Sequence, residues 1–266
     1  MTIGRALLDP RQSTIVEMTE LQQELKSAAS LISTHNINRN GLFDRVKLMV
    51  SAKTFICGIE KCGITTAEHV AQLVNGDETF EWYQSSPQKH NVSFDAYLAL
   101  LNNSLWQSVI IYRDPIVRFI SAYNSKCLLR DSDGRRNCHD VFRLSASHIS
   151  LEAVAARLPK YGYSNPHWIP QSHFCGGTVR SAWDSYTHHI PLNNLSSQVI
   201  DLLRDRVKEE TLTSIKSYLK QAQMSNRKHV THAERTSISS TLRYQLVDFY
   251  WEDYRLFLAK NVMHLL

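Results

Sequence analysis

Two stretches of this chain each join a short strand-like run to a helix through a polar loop, and together they restrict the fold. In the first, Lys53 to Gly58 (KTFICG) is an apolar run of strand length. A glycine-containing loop follows, then a helix over about 65–74 that Asn75-Gly76 stops. In the second, Ser108 to Tyr112 (SVIIY) is β-branched and apolar, as a strand covered on both faces must be. Pro115 suits the first position of a helix running to about 129, because its fixed φ is helical and its missing N–H is not needed there. Strand–loop–helix twice over predicts a P-loop-like α/β fold, a parallel sheet flanked by helices.

The remainder of the 266 residues fits one domain with a helical C-terminal part. No repeat and no Pro/Gly/Ser linker divides it. Residues 1–50 read as an N-terminal helical extension and 51–266 as the main domain. In the extension, Ile15, Met18, Leu21, Leu25, Ala28 and Ile32 recur at helical spacing over about 14–34, and Thr14-x-x-Glu17 is a capping-box start. Ser93 caps a helix to Leu101. Later helices are expected at about 150–158, 197–209, 211–222 and 238–259, and Tyr186 to Leu192 is a candidate further strand.

Charge and composition exclude several roles. Thirty Lys and Arg against 25 Asp and Glu leave a net charge of +5, too small a surplus to indicate nucleic acid as partner. A local anion site remains compatible with it. No run of eighteen apolar residues could span a membrane, and no signal-like apolar segment opens the chain, so as written it reads as cytosolic. Three N-x-S triplets, at Asn91, Asn102 and Asn194, point weakly the other way. No His, Cys or Asp cluster has metal-site spacing, so no metal is expected. Five cysteines are too few to build a disulfide scaffold, and the odd count leaves at least one thiol unpaired in a monomer.

The first loop reads Gly58-Ile59-Glu60-Lys61-Cys62-Gly63-Ile64-Thr65-Thr66. Against the Walker pattern G-x-x-x-x-G-K-[ST], Gly58, Gly63 and Thr65 are in register, but Ile64 stands at the lysine position. Without that lysine to reach β- and γ-phosphates, nucleoside triphosphate hydrolysis is not expected. Backbone N–H groups, a helix N-terminus and Lys61 still make an anion cradle, to which Thr65 and Thr66 add hydroxyls. The plainer alternative is a βα turn with an exposed lysine. The second loop reads Arg113-Asp114-Pro115-Ile116-Val117-Arg118-Phe119-Ile120-Ser121-Ala122-Tyr123. Arg113 leaves the strand just before a helix. Arg118 and Ser121 share a face of that helix. An arginine there can fork onto a phosphate with a hydroxyl completing the site, while Asp114 caps the helix or orients Arg113. The alternative is a structural Arg–Asp pair beside a surface helix.

Taken together, the loops resemble the two signature segments of sulfotransferases that use 3′-phosphoadenosine-5′-phosphosulfate (PAPS). Glu60-Lys61-Cys62-Gly63-Ile64-Thr65-Thr66 is similar to the 5′-phosphosulfate loop P-K-x-[GA]-[TS]-[TS]. Arg113-Asp114-Pro115 with Arg118, Ser121 and Tyr123 matches the 3′-phosphate segment R-D-P-x-x-R-x-x-S-x-[YF] without a mismatch. Asn165-Pro166-His167-Trp168-Ile169-Pro170-Gln171-Ser172 resembles the H-[FW]-x-P-Q stretch of the Golgi carbohydrate branch, and Tyr250 to Phe257 (YWEDYRLF) resembles its closing helix. The resemblance covers about 53–257.

The resemblance implies sulfuryl transfer from PAPS to a hydroxyl of a glycan or proteoglycan acceptor. Lys61 would contact the phosphosulfate and steady the leaving oxygen, and Gly63, Thr65 and Thr66 would cradle the same group. Arg113 and Ser121, with Arg118, would hold the 3′-phosphate. Arg227 and Lys228, expected in a polar loop before the last helices, match by position a basic loop that the family brings over the 3′-phosphate. Related enzymes carry the base, a His or a Glu, after the first loop. His90 is the first candidate, then His69, with Glu68 beside it. His167 fits a shaping role in its Pro-flanked loop. Two departures stand out: Glu60 replaces the family's proline, setting a negative charge beside an anion site, and Ile64 replaces a small polar residue. A non-catalytic PAPS-binding module therefore stands as one alternative, and a P-loop kinase or NTPase as another.

The branch also implies a Golgi lumenal setting and an N-terminal membrane anchor, which the chain as written lacks; a cytoplasmic protein is the alternative. In a lumenal protein Cys127 and Cys138, bracketing a polar loop, would pair. Cys57 reads as a small buried hydrophobe, and Cys175 is open to pairing elsewhere.

Overall fold

A computed structural model describes residues 42–77, 79–128, 135–235 and 238–260. The expected helix over 14–34 lies outside them. Four strands form one sheet in the order β1 (Val46–Met49), β2 (Thr54–Cys57), β3 (Gln107–Tyr112) and β4 (His188–Pro191). β2, β3 and β4 run parallel, and β1 joins the edge antiparallel to β2. Every residue of β2 is buried, and so is every residue of β3 except Gln107, which is why both read as unbroken apolar runs. The α/β expectation holds, and β4 falls inside the candidate strand.

β1 was not expected. It lies in the stretch read as a helical extension, and its four residues include Lys47. That lysine is fully buried because its ammonium lies 2.6 Å from the equally buried Glu68 carboxylate. The outer edge of β1 is covered by the chain at Ser85, whose carbonyl accepts from Leu48 N at 2.7 Å.

Helix α1 (Ile64–Asn75) follows β2, and Gly76, at φ 81°, ends it with its N–H on Gln72 and Leu73 carbonyls. Helix α2 (Phe94–Leu101) begins where Ser93 accepts from Ala96 N. Helix α3 (Pro115–Ala122) follows β3 and is shorter than expected. The chain widens into a π turn over Tyr123–Cys127, where Cys127 is tied to Cys138. Helix α4 (Leu195–Leu203) precedes α5 (Glu209–Arg235), which runs on through the residues expected to form a basic loop. The expected final helix is two, α6 (Ser240–Phe249) and α7 (Trp251–Ala259), broken at Tyr250.

Two apolar clusters result. One surrounds the sheet, with Phe55, Ile56, Val70, Tyr97, Ile110, Val199 and Ile215 among its members. The other lies between α3, Trp168 and the closing helices, around Phe119, Phe142, Leu246 and Tyr254.

Candidate active site

β2 and β3 are parallel neighbours with Cys57 opposite Ile110, so the loops leaving their C-terminal ends emerge side by side. This adjacency brings the two sequence segments together. The Arg113 guanidinium donates to the Lys61 carbonyl at 3.4 Å.

In the first loop the N–H of Cys62 closes a turn on the Ile59 carbonyl at 2.9 Å. Lys61 and Gly63 both have positive φ, 67° and 82°. Glycine is required at 63 on two counts: this φ, and a Cβ that would come within 2.9 Å of Leu195 Cδ2. Gly63 is the N-cap of α1, and no side chain caps the helix. The first-turn N–H groups therefore have no helical or side-chain cap, and with the helix dipole they suit an anion. Ile64, at the Walker lysine position, is turned inward and buried. Of the two expected hydroxyls, Thr65 is exposed, while Thr66 is buried and bonds Tyr218 of α5.

Glu60 does not face the loop unopposed. Arg45 Nε lies 3.6 Å from its carboxylate, and both side chains are nearly covered. Burial alone would depress the Arg45 pKa, but Glu60 and a hydrogen bond to Tyr83 outweigh it and raise it, so the guanidinium stays charged. On the other side His167 Nδ1 is 3.5 Å from the same carboxylate without hydrogen-bond geometry. Burial, reinforced by Lys61, Lys126, Arg118 and Arg45, pushes the His167 pKa down to about 2. The ring is neutral, and this is a packing contact rather than an ion pair.

The second loop is fixed locally and from afar. Asp114 caps α3 by accepting from Val117 N at 2.8 Å, and Tyr254 of α7 donates to its other oxygen at 3.3 Å. Gln171 clamps the Arg113 backbone from both sides: Arg113 N donates to Oε1 at 3.0 Å, and Nε2 donates to the Arg113 carbonyl at 2.8 Å. The same Oε1 accepts from the Cys62 thiol at 3.2 Å. Burial pushes that thiol's pKa up to about 12, so it remains a donor. Asp253 in turn accepts from the backbone N–H of Gln171 and of Ser172, each at 2.8 Å. Both Gln171 and Asp253 are fully buried. One amide thus joins both loops to the closing helix. The sequence singled out the segments holding Gln171 and Asp253, but not what either residue does.

Arg118 is placed differently from expectation. It is fully buried and donates to the carbonyls of Glu60 and Ile169, each at 2.8 Å, and of Pro166 at 3.1 Å. Its guanidinium packs over Phe174 at 5.5 Å. It ties the first loop to the 166–169 segment and presents nothing outward. Ser121 is half-buried on α3. Arg227 and Lys228 fall within α5 rather than a loop, and their side chains lie outside the described part.

Among the base candidates, His90 sits in the segment leading to α2. Its Nε2 is buried without a hydrogen-bond partner among the described residues, and burial and then Lys89 lower its pKa. His69 is sandwiched between Phe80 and Tyr218, with ring centroids at 4.4 and 4.2 Å, and has a packing role. Glu68 is occupied by Lys47, Gln72 and the Ser85 N–H.

Cys127 pairs with Cys138, as the resemblance implied for a lumenal protein. Cys57 is not the lone buried thiol expected: it pairs with Cys175 across 118 residues and pins the strand before the first loop. Cys62 is the free thiol. Among the described residues no group of three or more His, Cys, Asp or Glu is placed to hold a metal ion, and no helix is long and apolar enough to cross a membrane.

The model of the sulfotransferase family matches residues 49–258, from the last residue of β1 to the end of α7. The chain belongs to the sulfotransferase family. No curated protein and no solved structure matches it. The matched span includes both loops, Gln171 and Asp253.

Proposed function

We propose that this sulfotransferase moves a sulfuryl group from PAPS to a hydroxyl of a glycan or proteoglycan acceptor. The observation that carries the reading is the contact between the loops: Arg113 reaches the Lys61 carbonyl, so one rim carries both cations and an uncapped helix start. Such a rim fits a donor with a phosphate at each end. Lys61, Gly63, the α1 N–H groups and Thr65 would hold the phosphosulfate, with Lys61 steadying the leaving oxygen. Arg113 and Ser121 would hold the 3′-phosphate. Catalysis is then mainly positioning and charge neutralisation.

His90 is the proposed base for the acceptor hydroxyl. Its lowered pKa keeps the ring neutral at pH 7, as a base must be, and a base contributes about 10²–10⁴-fold. The sign for pH follows. Activity is retained as pH falls toward the ordinary histidine value of about 6.5 and is lost only below it, where His90 protonates. A kinase or NTPase is disfavoured by buried Ile64 in place of the Walker lysine and by Arg113, rather than a carboxylate, directly after β3. The concern that Glu60 spoils the anion site is met by Arg45 beside it. Two disulfides and three exposed sequon asparagines (Asn91, Asn102 and Asn194) support an oxidising, glycosylating compartment, and we place the protein in the Golgi lumen.

Thermal stabilisation by 3′,5′-ADP compared with ATP plus Mg²⁺ tests the donor. Preferential stabilisation by 3′,5′-ADP, lost in Arg113→Ala, is expected. Preference for ATP overturns the reading. His90→Asn should retain the stabilisation and lose labelled-sulfate transfer to glycans. Stabilisation without any transfer by the wild type would favour a non-catalytic PAPS-binding module.

A further inference from the structure

The segment between the first loop and His90 carries three large aromatic side chains on the surface. Phe80, Trp82 and Tyr83 are 36, 52 and 42% exposed. Single exposed rings are ordinary, but a contiguous exposed patch of them marks a binding surface. They are not loose. Phe80 stacks on His69 at 4.4 Å and meets Trp82 edge-on at 5.3 Å. His69 stacks on Tyr218 at 4.2 Å, extending the ring surface to α5. Tyr83 hydrogen-bonds Arg45, whose guanidinium also lies 5.0 Å from its ring, and it is held at a φ of 69° that an aromatic residue seldom adopts.

We propose that this surface binds a sugar ring of the acceptor, Trp82 stacking on its C–H face and Tyr83, tilted 47° to Trp82, lining its edge. The inference rests on the carbohydrate reading above and deepens it. Two observations select a sugar over another apolar occupant. His69, on which Phe80 stacks, also lines a groove of about 390 Å³ together with Leu73, Tyr218, Thr213, Ser214, Ser217 and Gln221. Flat apolar rings beside hydroxyl and amide donors match a pyranose, which offers an apolar face and a hydroxyl rim. The surface is also continuous with the first loop at two points. Tyr83 leads through Arg45 to Glu60, the neighbour of Lys61, and Tyr218 bonds Thr66, in the first turn of α1. Both chains of contacts connect the surface to the loop assigned to the sulfuryl donor.

The test compares wild type with Trp82→Ala, Tyr83→Ala and Trp82→Phe, using labelled-sulfate transfer to a purified glycan acceptor and direct binding to immobilised glycans. Trp82→Ala should raise the acceptor KM roughly tenfold, as expected for one lost stacking contact. Trp82→Phe should recover most of it. Donor KM and stabilisation by 3′,5′-ADP should stay unchanged in both Trp82 variants, which also shows that each is folded. An acceptor KM within twofold of wild type in both alanine variants overturns the proposal while leaving the carbohydrate reading intact. A wild type that neither binds nor sulfates any glycan removes the carbohydrate reading, and this proposal with it. If the alanine variants instead change the oligomeric state at unchanged acceptor KM, the surface is an interface between copies and the proposal fails.

Discussion

The two loops at the rim are alike in place and differ in how much of their shape is secured locally. The second follows its family pattern without a mismatch, and much of its geometry is local: Asp114 caps α3, and Pro115 starts it. The first departs from its pattern at Glu60 and Ile64 and is shaped from a distance. Arg45 offsets Glu60, Arg118 holds the Glu60 carbonyl, Cys175 pins Cys57, and Gln171 receives the Cys62 thiol. A loop that departs from the family pattern is held in form by residues up to 118 positions away. The same comparison explains why Arg118 belongs to the second segment in sequence and to the first in space.

This difference can be broken experimentally, beginning with the largest effect. Cys57→Ser with Cys175→Ser opens a closure spanning 118 residues and should cost about 5 kcal/mol on the chain-entropy estimate. Cys127→Ser with Cys138→Ser opens one of 11 and should cost about 3 kcal/mol. Denaturant unfolding of both variants gives the order, and an inverted order would show that the first loop is not anchored through Cys57. Next comes Arg118→Met, which leaves three buried carbonyls without a donor. It should lose at least about 3 kcal/mol, against about 2 kcal/mol for Asp114→Ala, which loses the helix cap and the hydrogen bond from Tyr254. Equal losses would mean that local capping and remote anchoring matter alike. The smallest effect is on affinity. Arg45→Gln leaves Glu60 unopposed and should weaken 3′,5′-ADP binding by roughly tenfold, about 1.4 kcal/mol. Glu60→Gln should change it by less than about threefold, because its charge is already offset. A large gain in Glu60→Gln would show that Glu60 does impair the site.

Much of this protein was legible in its sequence, and for definable reasons. β2, β3, the starts of α1 and α2, and the cap of α3 were readable because each depends on neighbours a few residues away: an apolar run, a serine or aspartate at a helix start, a proline in the first turn. The two loops were readable because their residues stand at the spacing of the family's signature segments. What the sequence did not reveal depends on contacts between distant segments. β1 was hidden because a buried lysine looks like a surface residue until Glu68 is brought to it. The pairing of Cys57 was hidden because five cysteines leave several pairings open. Arg118 was assigned outward because its motif position says nothing of the three carbonyls around it, and Arg227 and Lys228 were assigned to a loop that the structure makes helix. The sequence by itself determined which residues meet the rim, through local propensity and spacing. Only the tertiary structure decided what holds them there, because Gln171, Arg118 and Asp253 have partners 48 to 109 residues away and gain them only when the sheet and closing helix come together.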